Sequence, residues 1–241
     1  MVRDLLIDSF TAAVLGAALS IDRTAAIQAM VSRPIVTAPV IGCLLGNTGA
    51  GLAAGVVIEL LLIGDLPLGS YVPVDETGLA VLVTSVTVAF AGEGGAARYS
   101  LLDTAAVLPP LIVVGLIAAI LYRKADLFTR RRNNRLFERA AEGLRGAGGG
   151  EANLMGENLK GMAPVFLINC LLLFVTIFPL SLVAVDLSGR MVDISFLYPA
   201  LAACLVIGMA AAVKAVSTDR SRLIFPASGG AAFLIWFFLK G

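Results

Sequence analysis

Uncharged, strongly apolar runs recur along the chain, and their lengths set the first expectation. Residues 104–122 hold 19 positions without a charge, residues 161–185 hold 25, residues 194–213 hold 20 and residues 223–239 hold 17. A helix that crosses a bilayer needs about 20 mostly apolar residues, so these runs predict four spanning helices. Residues 5–21 form a fifth, interrupted by Asp8, and residues 78–92 a short sixth. The N-terminus has the order of a secretory signal, with Arg3, an apolar stretch and then small residues. Asp4 and Asp8 interrupt that stretch, so it reads as a retained first membrane helix.

Residues 34–58 carry no charge, but the run is broken by Gly46-Asn47-Thr48-Gly49-Ala50-Gly51. Glycine and asparagine are poor helix formers and favour turns. A long helix with a break and a hairpin of two short helices dipping into the membrane both fit. Either leaves irregular backbone at membrane depth, which is tolerated only against protein or a water-filled cavity. Gly51 and Gly55 add a small-residue spacing that packs helices closely. Residues 65–77, with Pro67, Gly69 and Pro73, cannot form one regular helix and fit a solvent loop or a re-entrant loop equally.

The polar stretch is residues 123–160, in which eight of the chain's 18 Lys and Arg fall between 123 and 145. Leu127, Phe128, Leu136 and Phe137 recur at roughly helical spacing, predicting that part of this loop is an amphipathic helix on the membrane surface. Gly146 to Gly150 marks a flexible joint. Flanked by apolar spans, the basic block reads as a cytoplasmic loop rather than a nucleic-acid site. Residues 186–193, with Arg190 as their one basic residue, then fall outside, and residues 214–222 inside.

Composition agrees. The chain is 59% hydrophobic and 15% charged, with mean hydropathy +0.93, against about 45–50% and 25% for soluble domains. The expectation is an all-α integral membrane protein, one polytopic domain over residues 1–241. It has about 6–8 membrane helices, with broken or re-entrant segments near 34–76. The three cysteines each lie in an apolar run and suggest no disulfide framework. The absence of histidine excludes a histidine triad, a histidine metal site and a phosphohistidine carried on this chain. Nucleophile-elbow, Walker and dinucleotide motifs are missing, so no catalytic residue, metal or cofactor is expected.

An acid at the bilayer centre costs about 2.5–3.5 kcal/mol on insertion scales. Glu59, in Val56-Val57-Ile58-Glu59-Leu60-Leu61, has no basic neighbour in sequence. It reads as a polar ligand in a cavity beside the glycine-rich break, against a carboxylate that reaches water or stays protonated. Asp75, with Glu76 and Thr77, fits a helix cap before Gly78, and the same helix end offers N–H groups to a ligand. Asp22, Arg23 and Gln28 lie in a connection, with Arg33-Pro34 at the next helix start. Up to this point the residues favour transport of an unnamed substrate.

Asp22…Gln28…Ser32-Arg33-Pro34, Gly42-Cys43-Leu44-Leu45-Gly46-Asn47, Gly51-Leu52-Ala53-Ala54-Gly55-Val56-Val57-Ile58-Glu59-Leu60 and Ile63-Gly64…Leu68-Gly69…Asp75 resemble one family. It is the IIC membrane component of the mannose/fructose/sorbose class of the bacterial phosphoenolpyruvate-dependent sugar phosphotransferase system. The resemblance implies a sugar-translocating subunit of the bacterial inner membrane. It implies a hetero-oligomer with a IID membrane subunit, served by cytoplasmic IIA and IIB phosphocarriers, and a hexose-type sugar phosphorylated as it enters. It implies that Glu59 binds sugar hydroxyls, with Asp75 and Gln28 next and Asn47 and Asp22 after them. Such a chain is not catalytic alone. The alternatives are a non-transporting homologue with a sensing role and a secondary transporter coupled to protons through Glu59.

Overall fold

The computed structural model describes residues 2–22, 29–64, 73–92, 99–145, 154–190 and 193–216. The described elements are helical: α1 (Val2–Ile21), α2 (Pro34–Leu44), α3 (Thr48–Leu62), α4 (Glu76–Ala91), α5 (Leu101–Ala106), α6 (Leu108–Arg145), α7 (Leu154–Gly189) and α8 (Tyr198–Val216). Four segments are long and apolar enough to cross a membrane: Val2–Ile21, Leu101–Glu138, Asn158–Gly189 and Ser195–Ala215. They match four of the predicted spans. The chain is an all-α membrane protein. The run at 223–239, the segment at 65–72 and Gln28 lie outside the described residues.

At the centre stands α4, with fourteen of its sixteen residues buried. It runs antiparallel to α6, because Gly78 meets the Tyr122 ring while Leu79 and Val83 meet Gly115. Helix α1 runs antiparallel to α7: Asn169 donates to Ser20 Oγ at 2.9 Å, Gly16 faces Leu173, and Phe10 meets Phe174 edge-on at 6.1 Å. Gly16 also packs against Val81 of α4. The bundle therefore has two ends. The basic end lies beyond Tyr122, where α6 continues into its arginines. The far end holds the start of α1, the end of α4 and the start of α5.

The glycine-rich break is a hairpin. Helix α2 ends at Leu44, Gly46 takes φ 79°, and the Asn47 side chain caps α3 by accepting from Ala50 N at 3.0 Å. The break is narrower than the sequence suggested, because the cap lets Gly49, Ala50 and Gly51 join the first turns of α3. At 11 and 15 residues, the two helices measure about 16 and 22 Å, each short of a hydrocarbon core of about 30 Å.

The basic stretch departs from expectation. Instead of a loop with a surface-lying helix, α6 carries straight on to Arg145. No glycine or proline interrupts residues 116–142, and an Arg130–Asp126 ion pair at 3.0 Å staples one turn.

Candidate functional site

The α2–α3 hairpin sets the position of Glu59. Its turn lies at the far end, where Gly49 faces Leu101 of α5. Glu59 is eleven residues along α3 from Thr48, about 16 Å at 1.5 Å per residue. That is about half of a 30 Å hydrocarbon thickness. At that depth α2 begins: Pro34 occupies its first position, and Arg33 precedes it. The first N–H groups of a helix lack internal partners, and Ile35 N donates to Glu59 Oε2 at 3.3 Å. Arg33 Nη2 stands 2.5 Å from Glu59 Oε1, with the side chains 33% and 15% exposed. The acid that looked solitary in the sequence thus meets a guanidinium and a helix N-terminus.

Residues 29–35 gather further groups. Asp22, buried just past α1, accepts from Ala29 N through Oδ1 at 2.9 Å and from Val31 N through Oδ2 at 3.1 Å. These bonds pin a segment in which Met30 takes φ 61°, an uncommon backbone state for a residue with a side chain. Thr37 Oγ1 donates to Val31 O at 2.9 Å and Thr77 Oγ1 to Ser32 O at 2.8 Å. The second bond ties the start of α4 to the start of α2. Asp75 caps α4, accepting from Gly78 N at 3.1 Å, and is buried. A side chain at 78 would collide with the Tyr122 ring and crowd Asp75 Oδ2, and Tyr122 in turn shares a 2.5 Å hydrogen bond with Thr176 of α7.

Four helix ends therefore meet below the hairpin: the C-termini of α1 and α3 and the N-termini of α2 and α4. The N-termini carry partial positive charge and favour carboxylates, which is where Glu59 and Asp75 sit. Broken helices whose ends meet at mid-depth are the arrangement in which transporters hold substrate.

Of the five residues singled out in the sequence, residues 29–35 bond Asp22 and Glu59 directly, and reach the helix start that Asp75 caps through Thr77. Gln28 adjoins Ala29 but lies outside the described residues. Asn47 is not brought to the others. It caps α3 in the hairpin turn, a full α2 length of about 16 Å away. The residue whose part was not anticipated is Arg33, which was expected only at the start of the next helix. An acid in apolar surroundings calls for a compensating group, and Arg33 at the neighbouring helix start was the available cation. Among the described residues no group of three or more His, Cys, Asp or Glu could hold a metal ion.

Comparison with known proteins adds to this geometry. A family model described as "PTS system sorbose-specific iic component" matches residues 6–216. No curated protein matches the chain. A solved structure described as "Structure of membrane protein" is similar with a TM-score of 0.58 at 18% identity, covering 98% of this chain and 91% of that one. At that identity the likeness establishes a shared fold.

Proposed function

The chain belongs to the sorbose-specific IIC family of the sugar phosphotransferase system, and from that premise we propose that it is the sugar-translocating subunit, taking a hexose-type sugar at the cluster of Arg33, Glu59 and Asp75. The observation that carries this reading is the Arg33–Glu59 pair at mid-depth, tied by residues 29–35 to the capped start of α4.

A sugar presents adjacent hydroxyls, each both donor and acceptor. A carboxylate offers about four acceptor positions and a guanidinium five donors. Before sugar arrives, Arg33 and Glu59 compensate each other. A vicinal diol bridging them donates to Glu59 and accepts from Arg33, so neither charge is stranded when the pair opens. Asp75, two residues before the Thr77 that bonds Ser32, is the next candidate ligand. Gln28, the residue before Ala29 in the sequence, is a further candidate to hydrogen-bond the sugar. Asp22 acts as a positioning residue, because its two oxygens already hold Ala29 and Val31. Asn47 serves the hairpin by capping α3.

The chain has no histidine, so the phosphoryl group comes from other components of the phosphotransferase complex. We assign these to cytoplasmic IIA and IIB carriers, and the second membrane subunit to a IID protein. The basic end of α6 faces the cytoplasm by the positive-inside tendency, and the protein sits in the bacterial inner membrane as a multi-pass subunit.

The test is uptake of labelled sorbose, fructose and mannose by cells holding the full set of phosphotransferase components. Glu59→Gln is expected to abolish uptake while the protein still reaches the membrane. Uptake of any of these sugars at an undiminished rate would remove Glu59 from the site.

A further inference from the structure

A second polar region lies at the other end of the bundle. A cavity of about 400 Å³ opens between the start of α1, the end of α4 and the end of α7. That is within the size range of small-molecule sites, about 300–1,000 Å³. Its polar wall comprises Ser9, Ser85, Ser181 and Ser188, all buried, together with Asp4 and Asp8. Phe90 and Ile177 give it an apolar side, and the Phe90 ring is held by stacking on Tyr99 at 4.7 Å.

These serines do not knit the helices to one another. Ser85 Oγ donates to Val81 O at 2.7 Å and Ser188 Oγ to Val185 O at 3.0 Å, each within its own helix. Their acceptor positions stay available to whatever fills the cavity. Alanine suits the packing of α1 nearby, where Ala12, Ala13 and Ala17 are fully buried. Ser9 therefore brings a hydroxyl to a helix that elsewhere packs with methyl groups. Beside Ser85 on α4, the hydroxyls of Thr84 and Thr87 are buried without a partner. They lie on the stretch of α4 between this end and Thr77, which is bonded to Ser32 in the Glu59 cluster.

We infer that the far-end cavity is an arrival site for the sugar, occupied before the sugar reaches Glu59. The inference rests on the proposed sugar function and on the orientation in which this end faces outward. A polyol matches the wall: hydroxyls to meet serines and carboxylates, and a C–H face to lie against Phe90 and Ile177. A lipid chain offers no hydrogen-bonding groups to these serines.

Two measurements test it, both in the assembled complex. Ser9→Val with Ser181→Val removes two hydroxyls at similar volume. Losing about 1.4 kcal/mol of hydrogen bonding corresponds to a tenfold change. The double variant is therefore expected to raise KM for uptake of labelled sorbose, fructose or mannose about tenfold, with kcat unchanged. An unchanged KM for all three overturns the arrival site. The second measurement uses Ser188→Cys in a chain whose three native cysteines are alanine, probed from outside with an impermeant maleimide. Labelling is expected, and the sugar should slow it several-fold even with Glu59→Gln present. No labelling, or labelling at the same rate with and without each sugar, overturns the proposal. Wild-type uptake by Glu59→Gln alone instead defeats the function proposed above and leaves the labelling result to stand separately.

Discussion

The α2–α3 hairpin and the α6–α7 pair are both packed helix pairs, and they are joined by opposite means. In the hairpin, backbone meets backbone. A Cβ at Gly42 would sit 2.7 Å from Asn47 O and one at Gly55 2.8 Å from Pro34 O, and one at Gly51 would collide with the Ala38 carbonyl. The α6–α7 pair meets through side chains, with Tyr122 on Thr176 and Asn133 donating to Gly161 O at 3.2 Å. Its outer faces are apolar and open, as at Ile117 (64% exposed) and Leu167 (64%). Side-chain contacts can rearrange, whereas glycine contacts fix the distance between two axes. The hairpin is therefore the part that holds Glu59 against Arg33 with little play, and the long pair is the part whose apolar outer faces lie open.

This contrast can be broken at graded points. Gly51→Val should do most, because no rotamer relieves a clash with a carbonyl. We expect a loss of about 3 kcal/mol or more, read as a large fall in Tm in detergent together with loss of uptake. Glu59→Gln or Arg33→Gln comes next. Removing one member of a fully buried pair costs about 3–5 kcal/mol, but partial exposure of this pair reduces that to about 1–3 kcal/mol. Tyr122→Phe removes one hydrogen bond and should lower stability by about 1 kcal/mol, with uptake retained. Ile117→Ala, on the open face, should change the stability of the isolated chain by no more than about 0.5 kcal/mol. If Ile117→Ala proved more damaging than Gly51→Val, the division between a fixed hairpin and a lipid-facing pair would be wrong.

Much of this was legible from residue order. The spans at 5–21, 104–122, 161–185 and 194–213 appear as α1, α5–α6, α7 and α8, because apolar length is a strong signal in a membrane protein. The hairpin was left between two readings, since glycines weaken a helix without saying where it stops; the Asn47 cap decided it. The helical extension of α6 was missed because arginine-rich sequence suggests a loop, although nothing in residues 116–142 breaks a helix. Glu59 and Asp75 stood out as acids in apolar surroundings. Arg33 did not, because its partner is on another helix and pairing across helices leaves no local spacing to read. Asn47 looked like a ligand through its neighbours in sequence, yet the length of α2 carries it away from them. The far-end cavity had no local signature at all. Its serines come from α1, α4 and α7 and meet only in the folded bundle.

The central claim is that Glu59 and Arg33 are sugar ligands and not merely a structural tie. The direct measurement is equilibrium binding of labelled sorbose, fructose and mannose to the assembled complex carrying Glu59→Gln, Arg33→Gln, or both, alongside Tm for each. Neutralising both residues leaves no stranded charge, so the double variant should regain stability to within about 1 kcal/mol of the original protein. It should still bind none of the sugars that the unmodified complex binds. A double variant that recovers both Tm and sugar binding would contradict the account.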